Sequence, residues 1–324
     1  MTMRRPCVTL HWVALVAAIA LAPWGIAASP YQVGVITEAW AANHPAVEGL
    51  KQGLQELGAV EGRDIVYDVH FTRGNPEAAA TAADTLVKAR VNLIFTSGEA
   101  ATLAAKKATQ SIPIVFTLAG DPVSLSIVKT TAHPGGNLTG ISSRTAELAS
   151  KRLEMLKTLA PGTRRVRYVY HAGDVTDSAV FGELSGIASK LGVEVAAKAV
   201  NDAAQLAQAM QEIRPGDALF APSSNTLDIP VAVHQAALAL HVPVIFPTAI
   251  WVSHGALASY GSDLRAEGVQ AARLVAKILR GAKPADIPVE GAEQIGLALN
   301  LKAAALLGTP IPRKLLFRAN AVYR

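Results

Sequence analysis

The sequence has a single cysteine, Cys7, among 324 residues. With the N-terminus removed, a chain of this kind has no disulfide, no thiolate metal ligand and no cysteine nucleophile. No His-Glu-x-x-His pair, Gly-x-Ser-x-Gly elbow, Walker loop or dinucleotide glycine pattern occurs, and His241 and His254 lack any zinc-like pairing. Aromatic residues make up only 5% of the chain, and the Lys and Arg residues are scattered. Nucleic acid is therefore not an expected partner. No catalytic residue, metal or cofactor is expected, which leaves a binding protein as one open reading. The alternatives are an exported α/β enzyme using Glu or Asp as acid and base, and a ligand sensor for a membrane receptor.

What is present fits two soluble domains: 324 residues, 51% of them hydrophobic. Arg4 and Arg5 precede a mostly apolar Val8–Ala22, and the small residues Ala27-Ala28-Ser29 follow. This is the pattern of a secretory signal peptide over residues 1–28, with an apolar core shorter than the ~20 residues of a membrane span. The Arg pair also permits a twin-arginine route. Cys7 lies before the apolar core, which is the wrong place for lipid attachment at a processed N-terminus. Without the two arginines the net charge falls from +5 to +3.

The most telling stretch is Val91–Val123. An apolar, β-branched run at Val91–Thr96 suits a strand buried on both faces. Ser97-Gly98-Glu99 breaks it, Ala100–Thr109 favours helix, and Ile112–Leu118 reads as the next strand. A second copy of this βαβ layout spans Asp217–Val252, in which Val242-Pro243-Val244-Ile245-Phe246 echoes Ile112-Pro113-Ile114-Val115-Phe116. The repeat predicts two similar doubly wound parallel-sheet lobes facing one cleft, with ligand contacts beyond the carboxyl ends of the strands.

Before and between these units the pattern predicts strands at Tyr31–Thr37, Asp64–His70, Leu138–Ser142, Val166–His171 and Val193–Val200. Helices are expected at Pro45–Leu57, from Asn75 to Ala89, at Thr145–Leu159, and from an Asp177 cap to Leu191. Later come a strand at Ala256–Tyr260, a long helix capped by Asp263, a strand at Gln294–Leu299, a short helix capped by Asn300, and a polar, basic tail. Lobe 1 is expected at 29–140 with 259–284, and lobe 2 at 141–258 with 285–324.

Several segments together resemble one family. They are Gly53-Leu54-Gln55-Glu56-Leu57-Gly58 with Glu61-Gly62, Ala104–Thr109 with Ile112–Phe116, and Gly120-Asp121-Pro122-Val123. Pro134–Gly140, Lys151-Arg152-Leu153-Glu154 and Ser259-Tyr260-Gly261 complete the set. In this order they resemble the periplasmic substrate-binding proteins of ABC transporters, in the branch holding tryptophan- and tyrosine-type binding proteins of the type I fold. The resemblance implies two lobes joined by three crossings, a monomer that closes on a small ligand, and delivery to a permease in the inner membrane. The loop His171–Thr176 departs from the family in lacking an Asn-Pro-rich turn.

Ser97-Gly98 and Ser223-Ser224 end strands just before helices, where free N–H groups suit a ligand carboxylate. Glu38 and Glu99 at strand ends suit a ligand ammonium. Thr37, Ala119, Asp121, Ser142, Ser143, His171, Asn225 and Thr248 occupy strand-end positions of the same kind. Trp40, Trp251 and Tyr260 are the aromatic candidates to hold an apolar part of the ligand. Together they predict an amino-acid-like or carboxylate-bearing solute.

Overall fold

The computed structural model describes residues 29–39, 44–118 and 120–324; residues 1–28, 40–43 and 119 lie outside them. Along the first part of the chain, strands and helices alternate: β1 (Tyr31–Thr37), α1 (Pro45–Glu56), β2 (Ile65–Phe71), α2 (Pro76–Ala89), β3 (Leu93–Ser97), α3 (Glu99–Ala108), β4 (Ile114–Leu118) and β5 (Leu138–Ser142). The pattern resumes with α4 (Ala149–Leu159), β6 (Arg165–His171), α5 (Val175–Ala188), β7 (Glu194–Val200), α6 (Ala203–Gln211) and β8 (Asp217–Phe220). It continues through α7 (Ile229–Leu240), β9 (Val244–Phe246), α8 (Ile250–Ser253), β10 (Ala258–Ser262) and α9 (Leu264–Leu279). The chain ends with β11 (Glu290–Gly291), β12 (Ile295–Asn300), α10 (Leu301–Leu306), α11 (Arg313–Arg318) and β13 (Ala321–Tyr323).

The strands form two sheets, in the orders β11-β5-β4-β3-β1-β2 and β13-β12-β10-β9-β8-β6-β7. All pairings are parallel except β10 with β12. Each sheet is covered on both faces, which is why its strands are apolar at successive positions. In the first sheet Val33, Val35, Phe95 and Val115 pack under α1 and α9. Ile36, Ile94, Ile114 and Phe116 pack on the other side with α2 and α3. In the second sheet Tyr168 and Phe220 join α4, α5, α10 and α11, while Val169, Leu219 and Phe246 join α6 and α7.

The expected caps of two late helices hold: Asp263 accepts from the N–H groups of Arg265 and Ala266, and Asn300 from that of Ala303. The expected cap of α5 does not. Asp174, not Asp177, accepts from the first turn, and Asp177 is buried inside the lobe. The chain crosses between sheets after β5, after β10 and after β11. The lobe boundaries shift accordingly. Residues 259–262, expected in lobe 1, lie in β10 of the second sheet, and Glu290-Gly291, expected in lobe 2, pairs with β5 of the first. The sequence pattern saw neither α11 nor β13, because a six-residue amphipathic turn in a basic tail carries little periodic signal.

Helix α9 is entered from the second lobe yet packs on α1 in the first. The two backbones touch: a Cβ on Gly268 would stand 2.0 Å from the Ala46 carbonyl oxygen, and one on Gly49 2.0 Å from that of Arg265. Gly268→Ala should therefore destabilise by about 2 kcal/mol, although helix propensity alone favours alanine by about 1 kcal/mol. Urea unfolding measures the balance, and a stabilised variant would show that the helices can move apart freely.

Candidate binding site

The carboxyl ends of β1, β3 and β4 face those of β6 and β8 across the gap between the lobes. On the first lobe, Gly98 precedes α3 with φ 114°, and a Cβ there would meet the Glu38 carboxyl at 2.2 Å. A glycine is needed on both counts. It lets Glu38 Oε1 accept from the N–H of Ala100 at 2.7 Å and more weakly from Ala101 at 3.4 Å. The seat predicted for a ligand carboxylate at this helix start is thus filled by the chain's own Glu38. Buried Ser97 lies beneath, its carbonyl accepting from the Glu38 N–H.

In the second lobe the expected helix start at Ser223-Ser224 is a loop, because α7 begins only at Ile229, yet an acid again fills its N–H groups. Asp177 Oδ1 accepts from Ser223 N–H (2.9 Å), Ser223 Oγ (2.8 Å) and the Tyr168 hydroxyl (2.9 Å), and Oδ2 accepts from Ser224 N–H (3.3 Å). The second predicted anion seat is likewise occupied from within. Below it lies Arg152, fully buried on α4, which donates from Nε to the Tyr260 carbonyl and sits 5.3 Å from the Phe220 ring centroid.

The lobes meet across the gap. Thr176 Oγ1 donates to Glu99 Oε1 at 2.5 Å, and Gly74 abuts Asn225. Burial pushes Glu99 up to about 8, with Asp174, Glu38 and Asp177 adding to the rise. Burial likewise takes Glu38 to about 7, with Asp174 adding to it, and Asp177 to about 6. The charged groups acting on Glu38 and Glu99 are all acidic, so the gap favours a cation.

Other predicted residues have internal duties. Buried Thr37 accepts at Oγ1 from the Ala39 N–H and through its carbonyl from Thr72. Asp121 is exposed and closes its own turn with Val123 and Ser124. Ser142 donates to the Gly120 carbonyl. Ser143 and Ser262 lie beside the buried Glu267 of α9 at the crossings; burial pushes Glu267 to about 7, and the two hydroxyls act against that rise. His171 accepts from the Gly173 N–H. Trp251 stacks on Phe246 at 4.9 Å and packs on His234, and half-buried Tyr260 packs on the second core, so both aromatics serve the lobe. Thr248 is half-buried after β9. Trp40 and Ala119 are outside the described residues.

Asp174, Thr176, Asp177, Arg152 and Glu267 were not singled out for the site. Two of them carried a signal. Arg152 interrupts the stripe Ala149-Leu153-Leu156, and Glu267 the stripe Leu264-Ala271-Leu274; a charge on an apolar helix face marks a buried polar role.

Two parallel α/β lobes joined by three crossings, with an acidic gap between them, define a bilobal solute-binding protein. The family model for ABC transporter substrate binding protein matches residues 33–323, and the chain belongs to that family. The tyrosine-binding protein of Clostridioides difficile (strain R20291) is 29% identical over 264 residues, 79% of this chain and 76% of that protein. A Streptococcus pneumonia ABC domain in complex with L-Trp superposes with a TM-score of 0.79 at 26% identity, covering 91% of this chain and all of that one. A ligand-free, open substrate-binding protein with adhesive properties from Clostridium difficile, also 26% identical, gives 0.66 over 90% of this chain and 99% of its own. At equal identity the liganded structure is the better match, in keeping with the Thr176–Glu99 contact between the lobes. The protein is thus a solute-binding component of an ABC transporter, a family that works outside the cytoplasm and binds rather than converts its ligand.

Proposed function

We propose that this chain is exported to the periplasm through its N-terminal segment and there, as a monomer, captures an amine-bearing, amino-acid-like solute for a permease in the inner membrane. The observation that carries this reading is the set of Glu38, Glu99 and Asp174 converging on the gap between the lobes, with Asp177 buried behind them. An ammonium between Glu38 and Glu99 would make charge-assisted bonds there and relieve the mutual repulsion of these acids. The tyrosine- and L-Trp-binding relatives support an aromatic amine among the candidates. Any ligand carboxylate has to be held away from the α3 start and the Ser223-Ser224 loop, which Glu38 and Asp177 fill.

Calorimetry with L-tryptophan, L-tyrosine and their decarboxylated amines tests this. Glu99→Gln should weaken binding of an amine by about ten- to a hundredfold, the worth of one charge-assisted hydrogen bond. Unchanged affinity for both Glu99→Gln and Glu38→Gln would refute the ammonium site.

A further inference from the structure

From Gln294 to the C-terminus the chain has five Lys or Arg residues and no Asp or Glu. All five, Lys302, Arg313, Lys314, Arg318 and Arg324, are exposed. The same segment holds the two most exposed large hydrophobic side chains of the described residues, Phe317 at 89% and Leu306 at 67%. On α11 these features coincide. Leu315 and Leu316 face the second core, while Arg313, Lys314, Phe317 and Arg318 are turned to solvent. Spacings of three and four residues put Arg313, Lys314 and Phe317 side by side on that outer face.

A solvent-facing phenyl ring set among three cations has no role in the lobe it belongs to. We infer that the outer face of α11 is a docking surface for an anionic phospholipid membrane. Lys and Arg meet the phosphate headgroups while Phe317 enters the boundary between headgroups and acyl chains. An acidic protein would satisfy the cations, but Phe317 would then need an apolar pocket of matching shape. A lipid interface accepts ring and cations together, with no such match. The charge imbalance fits this role: outside this tail the described chain has two more acids than bases, so the attraction is confined to one end of the second lobe.

Sedimentation with vesicles tests the inference, using protein recovered from the extracytoplasmic fraction. Vesicles of equal parts phosphatidylcholine and phosphatidylglycerol should carry the protein down at low salt, and pure phosphatidylcholine should not. Raising the salt should release it. The triple substitution Arg313→Gln, Lys314→Gln, Arg318→Gln should weaken binding by about a hundredfold, since each cation near such a surface contributes about a fivefold factor. Phe317→Ser should weaken it several-fold with an unchanged salt dependence. Thermal melts of the variants should match the parent, because these side chains are exposed. Absence of binding to the anionic vesicles, equal binding to neutral ones, or full binding by the triple variant would each overturn the inference. So would loss of capture by the detergent-solubilised permease in the triple variant when vesicles bind neither form, which would assign the face to a protein partner.

Discussion

Arg152→Ala should cost about 4 kcal/mol of folding free energy, the range measured when one member of a buried charge group is removed. Three losses combine. A large, fully buried side chain leaves a cavity beside Phe220. The Tyr260 carbonyl loses its donor at 2.7 Å. Asp177, already held high by burial, loses the nearby cation whose field acts between them. Arg152 itself is pushed down to about 10 by burial and so stays charged at neutral pH. Arg152→Met separates the contributions, since it keeps most of the volume and removes the charge; about half of the loss should return. Urea unfolding followed by circular dichroism gives both values. A cost below about 1 kcal/mol for Arg152→Ala would mean that Arg152 has no electrostatic role in the lobe.

Without ligand, stability should fall by upward of about 3 kcal/mol as pH rises from 5 to 8, counting about 1.4 kcal/mol for each pKa unit of displacement. The sign follows from the direction of the shifts. Glu38, Glu99, Asp177 and Glu267 are all raised above their ordinary values, to about 7, 8, 6 and 7. A group whose folded value is raised stabilises fully below its unfolded pKa. That contribution is lost as pH climbs through the folded value, here between about 6 and 8. Glu38 and Glu99 can escape the cost without unfolding, because parting the lobes at the Thr176–Glu99 contact returns both to water. The same rise in pH should therefore enlarge the radius of gyration of the free protein in X-ray scattering. A bound amine should suppress the part of the effect due to Glu38 and Glu99. A melting temperature that is flat across this window would contradict the desolvation of these acids.

The strand-turn-helix punctuation around Ser97-Gly98 and Pro222–Asn225 was enough to read two α/β lobes and to place the gap between them. Local sequence carries such information, since strands buried on both faces and glycine stops act over a few residues. It did not show what sits at those turns. Glu38 reaches Ala100 across 62 positions, and Asp177 reaches Ser223 across 46. A contact of that span is set by the packing of the sheet, so an empty N–H nest and a filled one look alike in the chain. The pattern Asp174-Val175-Thr176-Asp177 offered two acids for one cap, and only burial decided between them. Trp251 and Tyr260 look like ligand aromatics in a list of residues; their neighbours Phe246 and Arg152 assign them to the lobe.

The path of α9 bears on the order in which the chain can mature. Seven buried residues of the first lobe's main core, from Ala271 to Leu279, come from this helix. Translation delivers them only after strands β6 to β10 of the second lobe have been made. A fragment ending at Ser262 holds every central strand of the first lobe and still leaves the apolar face of β1, β3 and β4 covered by α1 alone, without α9. The two lobes are therefore not independent units in biogenesis. The N-terminal one must wait for a late segment before its core can close.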